Sequence, residues 1–141
     1  MSAADEAVVR RFYEQMNNER KNDLAGELFT DDHTFHDPQI QAADGPAGVA
    51  ATVSVYQDGV DGHWTINEIF SAGERVVVRW TGSGKHVGEV NGIPATGRGV
   101  GPVEAIAIHR MSGGKIAETE PISEVWDTLG FLQQIGVVAT A

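Results

Sequence analysis

An α+β fold, with helices gathered in the first part of the chain and strands after them, is what this sequence predicts. Two observations carry the prediction: apolar residues recur at helical spacing as far as Tyr56, and the period changes to two from His63 onward. No internal repeat, linker or low-complexity stretch interrupts the pattern. Helices followed by a run of strands pack on one face of a bent sheet. At 141 residues the chain has the usual size of one domain, residues 1–141, and enough length to bury a core.

Each element has its own signals. Between Ser2 and Arg20 the residues Val8, Val9, Phe12, Tyr13 and Met16 form a helical stripe, and Ser2 followed by Asp5 resembles a capping box. A shorter helix is expected to start at Asn22 or Asp23 as cap, to bury Leu24, Leu28 and Phe29, and to end near Asp31 and Asp32. The extended stretch HTFHDP follows. In GPAGVAATVSVY, Pro46 takes a first helical position and Val49, Val53 and Tyr56 share a stripe, which predicts a third helix. Then WTINEIF, RVVVRWTG, KHVGEV and VEAIAIHR read as successive antiparallel strands, with glycine-containing breaks at SAGE and MSGG. DTLGFLQQIG closes the chain as a helix, with Asp127 as N-cap, Leu129, Leu132 and Ile135 on one side, and Gly136 as the stop.

Composition excludes several functions. Asp and Glu number 20 against 10 Lys and Arg, and a net charge of −10 repels nucleic-acid phosphates and anionic membranes alike. Neither is expected as a partner. The absence of cysteine rules out disulfides, thiolate catalysis and cysteine-ligated metal centres. The N-terminus has no signal-peptide pattern and no apolar run reaches the ~18 residues of a membrane span, so a cytoplasmic location is expected by default.

Five strings together resemble one family: FYEQMNNER, HDP, GEVNGIPATGR, HRMSGGKIAE and DTLGFLQQIG. In order and spacing they are similar to the SnoaL-like polyketide cyclases, a branch of the nuclear transport factor 2-like superfamily, over nearly the whole chain. The resemblance implies a cone in which a long curved antiparallel or mixed sheet wraps around the N-terminal helices and leaves a pocket open at one end. It implies ring closure by an intramolecular aldol step, in which a proton beside a carbonyl is removed and an alkoxide is protonated, with no metal or other cofactor. It also implies a symmetric homodimer formed through the open face of the sheet, here the isoleucine face of VEAIAIHR.

Relatives place a histidine on the strand before the GKI turn and an aspartate before the last helix, and the matching positions are His109 and Asp127. Strand alternation puts His109 on one face with Ala105 and Ala107, where small side chains leave room for a ligand. A solvated or structural histidine is the alternative reading. For Asp127 the alternative is a plain helix cap. Relative to the family, KIAETEPISEVWD is about three residues longer and GVGPVEA carries one extra residue. Glu118, Glu120 or Glu124 is therefore a substitute base, and a regularly paired hairpin would bring Pro102 close to Pro121, with a bulge where proline cannot donate.

The remaining candidates concern the ligand. His36 and Asp37 of HTFHDP, and His86 before the GIPATG turn, match family segments near the pocket, although a structural hydrogen bond accounts equally for His86. Phe35, Tyr56, Trp64, Trp80 and Trp126 are candidates for its wall, or for ordinary core packing. His33 and His36 fall on opposite strand faces, a spacing that chelates no metal. The chain has no Arg-x-Asp of the limonene epoxide hydrolase type, and both tyrosines, Tyr13 and Tyr56, fall in expected helices, which weakens a steroid isomerase reading. The expected function is acid/base chemistry on a small carbonyl compound of polyketide type. A ligand-binding or dimerisation module without turnover is the rival.

Overall fold

The computed structural model describes residues 2–35, 43–119 and 124–140. Ser2 accepts the Asp5 backbone N–H at 3.0 Å and caps α1, Ala3–Arg11. The helix does not end there. Phe12–Asn18 continues it as a π-helix, with Phe12, Tyr13, Met16 and Asn17 buried. A 3₁₀ turn, Asn22–Leu24, leads into the single turn of α2, Ala25–Leu28. Strand β1, Phe29–Phe35, begins earlier than the acidic pair suggests, so Asp31 and Asp32 lie within a strand rather than at a helix end. The reason is tertiary: buried Phe29 pairs with Ile116 in the sheet, and that pairing overrides local helix-stop signals.

Helix α3, Gly45–Val60, has its proline in the first turn and buries Val49 and Val53. Strands β2 (His63–Ala72), β3 (Arg75–Lys85) and β4 (Gly99–Ser112) form an antiparallel ladder, followed by β5 (Lys115–Thr119) and β6 (Glu124–Trp126). The sheet order among the described residues is β1-β5-β4-β3-β2, with β6 also on β4, and β1 runs parallel to β5. The sheet is therefore mixed. KHVGEV is not a strand beyond Lys85. The Val87 and Gly88 N–H groups both donate to Gly59 O at 2.9 Å, so this segment is tied to the end of α3 instead of to the sheet.

The ladder is irregular at two places. Gly82 faces Val103 and Gly84 faces Val100, so β4 carries one extra residue at Gly101–Pro102. Arg110 faces Glu118, yet three positions away Ala107 faces Glu124, six positions on; the β5–β6 side holds three additional residues. With that offset Trp126 is already opposite Ala105, so the hairpin is not regular and Pro102 has no simple counterpart in it. Pro121, like Asp37, His36 and Glu120, lies outside the described residues.

Alternation then sorts the two faces. Val76, Val78 and Trp80 of β3 and Ala105, Ala107 and His109 of β4 are buried on the concave side with the helices. Ile106 and Phe70 are about half exposed on the convex side, at 50% and 48%. Helix α4, Thr128–Gln134, seats Phe131 and Ile135 against Val60, Val100 and Val103 at the bulged end of β4. Leu129, expected in that stripe, is 57% exposed, because the helix approaches through its Phe131 side.

Candidate functional site

The π-helical segment, α3 and the concave sheet face enclose a cavity of about 100 Å³. Phe12, Tyr13 and Asn17 supply one wall and Val49, Thr52, Val53 and Tyr56 another. Phe35, Trp64, Trp80, Trp126 and Phe131 add aromatic rings and His63 and Ser83 polar groups, so the expected wall residues Phe35, Tyr56, Trp64 and Trp126 do border the cavity. Such a space is smaller than a drug-sized pocket and of the order that admits one small ring.

At the inner wall the Tyr13 hydroxyl lies 3.1 Å from His109 Nε2. Both residues are buried, at 1% and 3% exposure. Phe12 and Tyr13 each meet the His109 ring edge-on at 6.0 Å. Burial, and secondarily the nearby His33, push the His109 imidazole down to about 3, so it is neutral throughout the physiological range. His109 Nδ1 has no hydrogen-bond partner among the described residues. Orphaned buried N–H groups are rarer than under-satisfied acceptors. The Nε2–H tautomer is therefore favoured, and in it Nε2–H donates to the Tyr13 oxygen. His109 itself is not a wall residue and meets the cavity through Tyr13.

Asp127 sits elsewhere. Its carboxylate is exposed and accepts the Gly130 N–H at 2.8 Å, the bond of a helix N-cap. A side chain at Gly130 would run into that carboxylate, which accounts for the glycine. The Asp127 N–H donates to Glu104 O, five residues along β4 from His109, or roughly 16 Å of strand. The structure thus does not assemble His109 and Asp127 as a pair. Nor is Glu118 a free carboxylate: it pairs with Arg110 at 3.0 Å on the opposite face from His109. Glu124 holds the ladder position opposite Ala107, two residues from His109.

His86 is fully buried away from the cavity. Its Nδ1 accepts the Thr96 N–H at 3.2 Å and lies 2.9 Å from the Thr96 hydroxyl, while its main chain exchanges bonds with Gly97 and Arg98 at 2.8 Å. It fastens the GIPATG loop. His33 is buried edge-on to Phe29 at 4.8 Å. Among the described residues no group of three or more His, Asp or Glu side chains is placed to hold a metal ion, and no helix is long and apolar enough to cross a membrane.

Sequence reading missed Tyr13 and Asn17 as wall residues. Tyr13 was assigned to the stripe of the first helix, and its signal lay in the phenol: a tyrosine on a buried stripe needs a partner for its O–H, and an inward-facing histidine supplies one.

A mixed α+β cone with an aromatic cavity between helices and sheet is the nuclear transport factor 2-like, or ketosteroid isomerase-like, class of fold. The SnoaL-like polyketide cyclase family matches residues 7–135, and the chain belongs to that family. It is similar to the structure of TsrD from Streptomyces laurentii, at 25% identity and a TM-score of 0.83, with 98% of this chain and 99% of that one covered. Wild-type IdmH from Streptomyces antibioticus shares the fold at 21% identity and a TM-score of 0.75, covering 94% and 98%. So does a hypothetical protein with a ketosteroid isomerase-like fold from Catenulispora acidiphila DSM 44928, solved with trimethylamine, at 20% identity and a TM-score of 0.72, covering 92% of each chain. No curated protein matches the chain.

Proposed function

We propose that this chain is a small-molecule enzyme that promotes proton transfer beside a carbonyl group, with Tyr13 as hydrogen-bond donor to the carbonyl oxygen and His109 as the residue that positions Tyr13. The 3.1 Å contact between the Tyr13 hydroxyl and His109 Nε2 at the cavity wall carries this reading. In a dry aromatic pocket a fixed donor stabilises the charge that develops on an enolate oxygen far better than water does. The base in this scheme is Glu124, from its ladder position opposite Ala107. It takes the proton from carbon, the C–H electron pair becomes the enolate double bond, and the negative charge collects on the oxygen bound to Tyr13. Attack of that carbon on a second carbonyl and return of the proton to the new alkoxide complete an aldol ring closure.

Two measurements test the reading and separate it from a binding module. 4-Nitrophenol, a one-ring analogue of the enolate, should bind the wild type and lose about 10- to 100-fold in affinity with Tyr13→Phe, the worth of a hydrogen bond to a charged group. Deuterium uptake into the acetophenone methyl group in D2O, followed by NMR, should be accelerated by the wild type and slowed about 10²- to 10³-fold by Tyr13→Phe. Glu124→Gln should abolish the exchange and spare 4-nitrophenol binding. Binding without any acceleration would establish the ligand-binding module instead.

The dimer proposal rests on the convex face. Phe70, Val77 and Ile108 are consecutive ladder partners across three strands beside exposed Ile106, and the Arg79–Glu68 and Arg110–Glu118 pairs give the surround both signs of charge. Light scattering should report twice the 15.1 kDa chain, and Ile106→Glu should return it to the monomer mass.

A further inference from the structure

Three asparagines on or next to the π-helical segment have very different surroundings. Asn18 has both ends of its amide satisfied by the Trp64 main chain, at 2.7 Å each. Asn22 exchanges bonds with Gln57 at 2.7 and 3.0 Å. Asn17 is 2% exposed and borders the cavity, yet its Oδ1 is buried with no hydrogen-bond partner, and its amide makes no hydrogen bond to any described residue. A buried amide left in that state costs about 1–3 kcal/mol per group.

Asn17 has no easy escape from its position. Its carbonyl accepts from Gln57 Nε2 at 3.0 Å and from Arg20 Nη1 at 2.7 Å, and Gln57 also holds the neighbouring Met16 carbonyl at 3.2 Å. Gln57 is itself buried on α3. The π-helix therefore has its carbonyls pinned from outside while the Asn17 amide stays on the cavity wall. Tyr13 precedes it by four residues, close to one π turn, so the two polar groups occupy the same side of the helix.

We infer that Asn17 is a second ligand-binding residue of this site and that the ligand is a dioxygenated compound, a ring or short chain bearing a carbonyl at Tyr13 and a hydroxyl or second carbonyl at Asn17. An amide suits either group, because it donates through Nδ2 and accepts through Oδ1. This rests on the Tyr13 reading and adds the substrate class to it. Apart from Thr52, His63 and Ser83 the rest of the wall is apolar or aromatic, and a mono-oxygenated ligand held at Tyr13 brings no second polar group to the unpaired Asn17 oxygen.

The test compares acetophenone with 3′-hydroxyacetophenone by NMR titration against the whole chain. The wild type should prefer the hydroxylated probe by about tenfold, the usual worth of satisfying a buried polar group. Asn17→Leu, which keeps the branching and the number of side-chain heavy atoms, should remove that preference by weakening the hydroxylated probe alone. It should also raise the thermal midpoint of the free protein, because an unpaired buried amide is replaced by an apolar side chain. A structural asparagine would lower it. Tyr13→Phe should weaken both probes equally, so failure at Tyr13 is read separately from failure at Asn17. Equal affinity of the wild type for the two probes, or a lowered midpoint in Asn17→Leu, overturns the inference.

Discussion

His109 and His86 are both buried on the inside of the molecule, yet their rings meet different partners. His86 directs its ring at Thr96 and, through its own N–H and carbonyl, ties itself to Arg98 and Gly97 at the far end of the same loop. His109 directs its ring at a side-chain hydroxyl on the wall of a cavity. Burial does not separate the two. The partner does: a bond to the main chain is satisfied by the fold, whereas the bond to Tyr13 reaches a side chain on the cavity wall, where we propose it positions the phenol.

The largest effect that can break this contrast is expected at His109. His109→Leu should slow acetophenone exchange about 10²-fold through Tyr13, with Tyr13 itself unchanged. It should also alter stability against pH. Because the folded imidazole is held down at about 3, the unfolded chain binds the extra proton as pH falls below ~6.5, so this group's contribution is fully present above that value and is lost on the way down. Urea unfolding should show the wild type losing up to about 1.4 kcal/mol per pH unit more than His109→Leu between pH 6 and 4. Parallel pH slopes would mean that His109 is not a buried neutral base.

Smaller effects belong to residues away from the cavity. His86→Ala should lower stability by about 1–3 kcal/mol, since it strands the Thr96 N–H, while 4-nitrophenol affinity stays at the wild-type value. Asp127→Ala should lower it by about 1 kcal/mol, the worth of an N-cap, with the exchange rate intact. A collapse of exchange in Asp127→Ala would reverse the assignment made from its Gly130 bond.

Much of the fold was legible in the sequence because the periods of Val8 to Met16, Val49 to Tyr56 and Ala105 to His109 have single interpretations. The irregular pairing falls at GVGPVEA and within KIAETEPISEVWD, the two stretches whose spacing the sequence reading singled out. HVGEV was read as strand because its alternation is genuine, but Gly59 offers a carbonyl that two successive N–H groups reach, and no local pattern announces such a contact. The site was half legible. His109 was implied by the family resemblance, and alternation placed it on one face with two alanines. Asp127 could not be resolved, because an aspartate before TLGFLQQ looks the same whether it caps a helix or takes a proton. Tyr13 was hidden by the opposite fault: an aromatic on a helical stripe is adequately explained by core packing until its hydroxyl is asked for a partner.

Strand β4 acts as a fixed ruler on which β5 and β6 hang separately, three residues out of step with each other. Because each keeps its own register on β4, the length of chain between them is decoupled from both ladders. Insertions or deletions there can accumulate during divergence without moving His109, whose place on the ruler is set by β3 through its pairing with Val76. Such a joint lets the chain between β5 and β6 change in length while Tyr13 and His109 keep their places beside the cavity.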